Sequence, residues 1–380
     1  MSNVSRPPPA VQPQNPDLGC PRTVCEVWMR FPLSRPTLGD QESENVRDAM
    51  AWGWISGTGS YVSAFERSLE QRIGRAFATV VSSGTTALEI ALSALGVGPG
   101  DEVLVPALTF AAPAAAVLTV GAVPVLCDID AETWTIDVEA ARALRTPRTK
   151  AIITVDLMGH PCDYERLAEL EISMVEDAAQ AHGARTGKGP AGSFGVASIF
   201  SFHVNKAITS GEGGAVLTDD EELAEKVRLL AHHGMSPHHR YHHTVAGRNG
   251  RMTNLSAAIG TAQMARWDEL VAGRREAARL YDARLNGLGF SPRPQRTGVL
   301  PSCWLYCVTS PERDAVVKRA RHRGVDARAI WPALSDLPLY RPYARLPCPQ
   351  ASKVSRTALW LPTWSHLTPE DVEAVTEVMV

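Results

Sequence analysis

Short apolar runs alternate with amphipathic segments between about residues 75 and 220. Apolar residues recur at helical spacing in TALEIALSAL, and TFAAPAAAVLTV predicts a second helix. Six runs predict buried strands: EVLVP near residue 102, VPVLCDID near 123, KAIITVDL near 150, SMVEDAA near 173, ASIFSF near 197 and GAVLTD near 214. Strands that alternate with helices are typical of βαβ units, so the pattern predicts an α/β fold with a mostly parallel sheet.

After residue 220 the pattern changes to longer charged helices, in DEELAEKVRLLAHHG and in NLSAAIGTAQMARWDELVAGRREAARLYDARL. A smaller α+β region follows, with a strand in SCWLYCVTS, a helix in ERDAVVKRARHRG and a last helix that starts at Thr368. We therefore expect three parts. They are a disordered proline-rich tail over residues 1–30, a large domain over 31–250 and a small C-terminal domain over 251–380.

Composition excludes several classes of protein. The net charge is −3, and 38 basic residues nearly balance 41 acidic ones, so no basic patch predicts binding to nucleic acid. The longest weakly apolar run, residues 107–127, is interrupted by Pro113, Gly121 and Pro124 and predicts no membrane span. Seven scattered cysteines without a CxxC pair favour reduced thiols in a cytoplasmic enzyme.

Two groups of residues resemble metal ligands, and neither has the spacing of a common zinc site. Cys303 and Cys307 are four residues apart in a predicted strand, where they would face the same side and pack. The other group is a run of histidines, which could either contact an anionic nucleotide or form a solvated loop: His232, His233, His238, His239, His242 and His243. We predict no metal.

Three motifs can carry chemistry. SSGTT, residues 82–86, opens a predicted helix and could bind an anion, although a plain N-cap has the same sequence. Asp177 ends a predicted strand, where it could meet a cofactor or cap the next turn. Lys206 lies in FSFHVNKAITSGEGG, and its glycines follow the lysine, which is the wrong order for a phosphate-binding P-loop.

A lysine in a cleft at the end of a parallel sheet can form a Schiff base if burial lowers its pKa from about 10.4 toward neutrality. An imine to a pyridine aldehyde also needs an acid on the ring nitrogen, a phosphate cup and an aromatic lid. The sequence offers one candidate for each, namely Asp177, the SSGTT helix start and Phe110.

These motifs, in this order, resemble the DegT/StrS family of pyridoxal-phosphate-dependent sugar aminotransferases. The resemblance extends from about Arg35 to the C-terminus and is carried by SSGTTALEIAL, GPGDEVLVPALTFAA, GAVPVLCDID, VEDAAQAHGA, FSFHVNKAITSGEGGAV and RMTNLSAAIGTAQ. It implies the type I aminotransferase fold, with a mostly parallel seven-stranded sheet. It also implies that Lys206 is the Schiff-base lysine and that Asp177 pairs with the pyridine nitrogen.

The resemblance further implies the remaining contacts to the cofactor. They are Gly84, Thr85 and Ser201 at the phosphate, Phe110 stacked on the ring, Gln180 near the phenolic oxygen and Asn249 reaching the phosphate from the neighbouring subunit. An active site completed by a neighbour implies at least a homodimer.

Within the family, three segments resemble the branch that aminates a 4-keto-6-deoxymannose carried on GDP: WISGTGSYVSAFE, HGMSPHHRYHH and RMTNLSAAIG. The implied reaction moves an amino group from L-glutamate to the keto group of a nucleotide-linked deoxy sugar, which resembles GDP-4-keto-6-deoxymannose or its 3-keto isomer. Two positions depart from the pattern. Gly250 replaces an aromatic residue and is expected to leave space in the pocket, and Leu334 or Ser335 replaces a histidine.

These departures keep an alternative acceptor open, a cyclic ketone such as an aminocyclitol precursor. A dehydratase that runs on pyridoxamine phosphate carries histidine at the lysine position, and Lys206 argues against it. A non-catalytic regulatory protein would be expected to have lost Lys206 or Asp177, and both are present.

Overall fold

The computed structural model describes residues 29–379, so most of the predicted tail lies outside the described residues. The helices within this part of the chain are α1 (Asp40–Ala51), α2 (Ser60–Ile73), α3 (Gly84–Ala94), α4 (Ala112–Thr119), α5 (Val138–Leu144), α6 (Tyr164–Ala168), α7 (Glu221–Ala231), α8 (Asn254–Ala265), α9 (Trp267–Leu285), α10 (Arg313–His322), α11 (Pro349–Thr357) and α12 (Pro369–Glu377). None of them is long and apolar enough to cross a bilayer.

A seven-stranded sheet forms the centre of the large domain. Its strands are β1 (Phe77–Val81), β2 (Glu102–Pro106), β3 (Val123–Cys127), β4 (Thr149–Val155), β5 (Ser173–Asp177), β8 (Ala197–Ser201) and β9 (Gly214–Thr218), in the order β1-β9-β8-β5-β4-β2-β3. The pairs from β8 to β3 are parallel, and β9 pairs antiparallel with both β8 and β1. The predicted mostly parallel sheet and its six strands are confirmed. The edge strand β1 was not predicted from the sequence.

The remaining strands of the described residues form two smaller sheets. β6 (Arg185–Thr186) and β7 (Gly189–Pro190) form a hairpin, and β10 (Ser291–Pro292), β11 (Tyr306–Thr309), β12 (Arg328–Ala329) and β13 (Ala358–Leu361) form the antiparallel sheet of the small domain. The strand predicted across SCWLYCVTS begins only at Tyr306. Cys303 has a φ of 57°, a left-handed conformation that cannot continue a strand, so the prediction of a shared strand face for Cys303 and Cys307 is wrong.

The contacts of α8 bear on the domain boundary, which we predicted at residue 251. Asn45 in α1 donates to the carbonyl of Ala258 in α8 at 3.0 Å. Gly260 lies so close to α2 that a Cβ there would come within 2.4 Å of the Phe65 ring. Because α8 packs on the helices of the large domain, we propose that the boundary lies after α8.

The start of the described chain belongs with the small domain. The Phe31 amide donates to the Gly324 carbonyl at 3.0 Å, and the Asp326 amide donates to the Phe31 carbonyl at 2.8 Å. The small domain therefore has a segment from each end of the chain, and it faces the carboxyl ends of β5 and β8. That placement closes a cavity over the sheet.

Candidate active site

A cavity of about 350 Å³ lies between the ends of the central strands and the small domain. Seven of the eight residues predicted to form the site line it: Gly84, Thr85, Phe110, Asp177, Gln180, Ser201 and Lys206. The segments that carry them follow different strands or open α3, and the parallel topology brings these segments to one edge of the sheet. Asn249 is exposed and does not line this cavity.

Lys206 lies in the loop after β8 and is 8% exposed. Its amide donates to the His203 carbonyl at 2.9 Å, which holds the loop in a turn above the strand. Burial lowers the pKa of Lys206, the nearby charge of Asp177 opposes that shift, and the charge of Arg274 adds to it. A lowered pKa increases the fraction of neutral amine, the form that attacks an aldehyde.

Asp177 is the last residue of β5 and is 5% exposed. Its Oδ1 accepts a hydrogen bond from the Ala179 amide at 3.0 Å. Burial raises the pKa of this carboxyl, whereas that hydrogen bond and the charge of Lys206 lower it. A buried carboxylate with so few donors is suited to a cationic N–H group in the cavity.

The N-terminus of α3 forms the other end of the cavity. Ser83 is a true N-cap, because its Oγ accepts from the Thr86 amide at 3.1 Å. Gly84 packs against Ser201 so closely that a Cβ would lie 2.8 Å from the Ser201 Cβ. The first amides of the helix and the Ser201 hydroxyl therefore lie together, in an arrangement that can hold a phosphate. Capping and anion binding, left as alternatives by the sequence, are compatible here.

Aromatic side chains form the wall on the small-domain side. Phe110 is 51% exposed, and its ring centroid lies 5.7 Å from that of Trp331. Trp304 and Trp360 also line the cavity. Phe110 was predicted from the sequence. The three tryptophans were not, because they come from three separate segments and share no motif.

The residues present fit pyridoxal phosphate. A buried amine with a lowered pKa can bind the aldehyde, Asp177 can pair with the ring nitrogen, and the α3 terminus can hold the phosphate. The exposed face of Phe110 is open for stacking. Gln180 is held in place by the Met158 amide, which donates to its Oε1 at 2.8 Å.

The sequence profile of the DegT/DnrJ/EryC1/StrS aminotransferase family matches residues 36–380. The chain belongs to this family. It is 39% identical to a GDP-perosamine synthase of Caulobacter vibrioides over 358 residues, 91% of this chain and 96% of that protein. A GDP-perosamine synthase of Escherichia coli O157:H7 is 36% identical over 91% of this chain and 97% of its own length.

Solved structures of family members superpose closely. The PLP form of a sugar aminotransferase described as putative, from Streptococcus pneumoniae, has a TM-score of 0.87 at 30% identity, with 92% of this chain and 97% of that chain covered. A 3-amino-5-hydroxybenzoic acid synthase has a TM-score of 0.85 at 33% identity, with 92% and 98% covered. The type I aminotransferase fold and the assignment as an aminotransferase are confirmed.

The expectation that Gly250 leaves space in the pocket is wrong. A Cβ at this position would lie 2.9 Å from Ile90 Cδ1 and 3.1 Å from Thr86 Cγ2, so the glycine allows the chain to approach α3. Leu334 is buried, and its amide donates to the Ala107 carbonyl at 2.7 Å. Neither Leu334 nor Ser335 lines the cavity.

The histidine run lies outside the cavity. None of its six members lines it, and all except the half-buried His232 are exposed. Within residues 29–379, no group of three or more histidine, cysteine or acidic side chains could hold a metal ion.

Proposed function

We propose that this aminotransferase transfers the amino group of L-glutamate to the keto group of a nucleotide-linked deoxy sugar in amino-sugar biosynthesis. Its cofactor is pyridoxal 5′-phosphate. The observation that carries the proposal is a buried lysine and a buried aspartate that face one cavity at a helix N-terminus. Three GDP-perosamine synthases are 33–39% identical to the chain, which supports a GDP-linked 4-keto-6-deoxymannose as the acceptor.

When bound, pyridoxal phosphate supplies an aldehyde for amine exchange and a ring that withdraws electrons. We assign to Lys206 Nζ the bond to that aldehyde and the later transfer of a proton at the substrate carbon. Asp177 would then pair with the ring nitrogen and keep it protonated. An ion pair at about 3 Å, with an effective dielectric constant near 20, would contribute roughly 5 kcal/mol before desolvation.

The other residues that line the cavity are assigned to the remaining parts of the cofactor. Gly84, Thr85 and Ser201 are assigned to the phosphate, Phe110 to the ring face and Gln180 to the phenolic oxygen. Their positions around one cavity support these roles.

We assign Asn249 to the phosphate in the active site of a neighbouring subunit. Its side chain is exposed and lies outside the cavity of its own chain, which is compatible with a contact to a second copy. The enzyme would then be a homodimer. We also propose that it is cytoplasmic, because the five cysteines of the described residues are free thiols.

A cyclic ketone is now less favoured as the acceptor. The argument for it depended on extra space at Gly250 and on the missing histidine. Gly250 packs against α3, and neither Leu334 nor Ser335 lines the cavity, so neither position opens space in the cavity of its own chain.

The test follows the yellow absorbance of the purified enzyme. L-glutamate should abolish it, and GDP-4-keto-6-deoxymannose should restore it faster than a dTDP-linked keto sugar or a cyclic ketone does. Lys206→Ala should fail in both steps, and Lys188→Ala, at an exposed lysine, should behave like the wild type. Faster recovery with the cyclic ketone would contradict the acceptor, and an unchanged spectrum with glutamate would contradict the donor.

A further inference from the structure

The amine of Lys206 lies over the face of an indole ring. Its Nζ is 3.9 Å from the ring centroid of Trp304, which is 5% exposed. A cation at this distance is attracted to the electron-rich face of tryptophan, and the attraction is stronger where water is excluded. The ring therefore favours the ammonium form and fixes where the amine rests.

The indole has little freedom to turn. Its Nε1–H donates to the carbonyl of Asn205 at 3.0 Å, in the same loop as Lys206. Its ring is nearly parallel to that of Trp331, with centroids 6.0 Å apart, and meets the Trp360 ring edge-on at 5.9 Å. The ring is thus tied to the lysine loop on one side and packed by two tryptophans.

A single buried cation anchors both the lysine loop and the tryptophan. Arg274 is 1% exposed, and its guanidinium donates to the carbonyls of Asn205 at 3.2 Å and Lys206 at 3.1 Å. The same group donates to the carbonyl of Trp304. The backbones that carry the amine and the ring are therefore fixed on one group, although they are about a hundred residues apart in sequence.

Three charged or titratable groups also face Lys206. The charge of Asp177 favours the ammonium and that of Arg274 opposes it. His182 is 1% exposed, and burial keeps its pKa well below the usual value, so it remains neutral. The indole face favours a protonated amine without adding a negative charge.

We propose that Trp304 is a positioning residue for Lys206, whose ring face holds the lysine amine whenever it is not bonded to the cofactor. The inference depends on the role proposed for Lys206. A fixed resting place would keep the amine close to the substrate carbon for proton transfer and for its return to the aldehyde.

The test titrates the amine itself in the full-length protein freed of cofactor. Reductive methylation by formaldehyde and cyanoborohydride reports the neutral amine, and mass spectrometry gives its rate at Lys206 from pH 5.5 to 9.5. Trp304→Leu removes the ring face. The pH at which the methylation rate of Lys206 is half its maximum should therefore fall by about 0.4 to 1.5 pH units. Trp304→Phe keeps a weaker face and should cause a smaller fall.

Controls keep the test decisive. Trp364→Leu removes a tryptophan that is 6% exposed and packs in the core of the small domain, and its midpoint should match the wild type. If Trp304→Leu does not fold, as judged by circular dichroism, Trp304→Met takes its place. An unchanged midpoint, or one that rises because water enters, would overturn the proposal. This titration needs no transaminase activity, so failure of the proposed function would appear separately, as a wild type that does not become yellow with pyridoxal phosphate.

Discussion

A pair of buried carboxyl groups lies behind the active site and leads to a sharp prediction for stability. Asp156 and Glu176 are both fully buried, and Asp156 Oδ2 has no hydrogen-bond partner among the described residues. Glu176 accepts the amides of Gly192 at 2.6 Å and Phe194 at 2.7 Å, and Asp156 Oδ1 accepts the Tyr164 hydroxyl at 2.6 Å. Two neighbouring buried carboxylates repel each other when both are ionised, so we infer that the pair holds one proton at neutral pH.

Burial raises the pKa of both groups, and the charge of Asp156 raises that of Glu176 further. In the unfolded chain both carboxyls have ordinary pKa values near 4 and are ionised above about pH 5. The folded state then binds one more proton than the unfolded state, so its stability falls as pH rises. One proton corresponds to a loss of about 1.4 kcal/mol per pH unit, or about 2.7 kcal/mol from pH 5 to pH 7.

Asp156→Asn should remove this loss, because an amide supplies the hydrogen without titrating. Free energies of unfolding are measured in urea from pH 5 to pH 8, at one protein concentration and with saturating pyridoxal phosphate. The wild type should lose stability relative to Asp156→Asn with a slope of about 1.4 kcal/mol per pH unit. For Asp40→Asn, at an exposed position, the free energy of unfolding should change with pH in the same way as in the wild type. Parallel curves for wild type and Asp156→Asn would refute the shared proton.

Two further predictions concern packing and the cofactor. Gly250→Leu should lower the free energy of unfolding by about 1–3 kcal/mol, because the Cβ of the new side chain would clash with Ile90 and Thr86. Gly187→Leu, which meets open space, should stay within about 0.5 kcal/mol of the wild type, and equal melting temperatures for the two variants would contradict this account of Gly250. Ser201→Ala should weaken the binding of pyridoxal phosphate roughly 10- to 100-fold in an absorbance titration, the loss of one hydrogen bond to a charged group. An unchanged affinity would show that Ser201 does not bind the phosphate.

Local sequence was sufficient for much of the fold. The strands from β2 to β9 in the central sheet are short apolar runs bounded by turn residues, and each was predicted near its observed position. The edge strand β1 was missed because it is FATVV, directly after an amphipathic helix, and it is defined by antiparallel pairing with a strand about 140 residues away. That pairing leaves no local pattern.

The difference between local sequence patterns and long-range contacts also explains which residues of the active site were predicted. Lys206, Asp177 and the α3 start lie where strands end, so the topology of a parallel sheet predicts that they meet. Trp304, Trp331 and Trp360 meet because β11 and β12 both pair with β13 within the small domain, a long-range pairing that no local pattern indicates. Gly250 was misjudged because its neighbours come from α3, about 160 residues earlier in the chain.

Chemical trapping tests whether Lys206 forms the covalent bond to the cofactor. The yellow enzyme is reduced with borohydride, digested and analysed by mass spectrometry for the pyridoxyl group. We expect the group on Lys206 in the wild type and no labelled peptide from Lys206→Arg. A label on another lysine, or a Lys206→Arg variant that remains yellow and is labelled elsewhere with wild-type turnover, would contradict it.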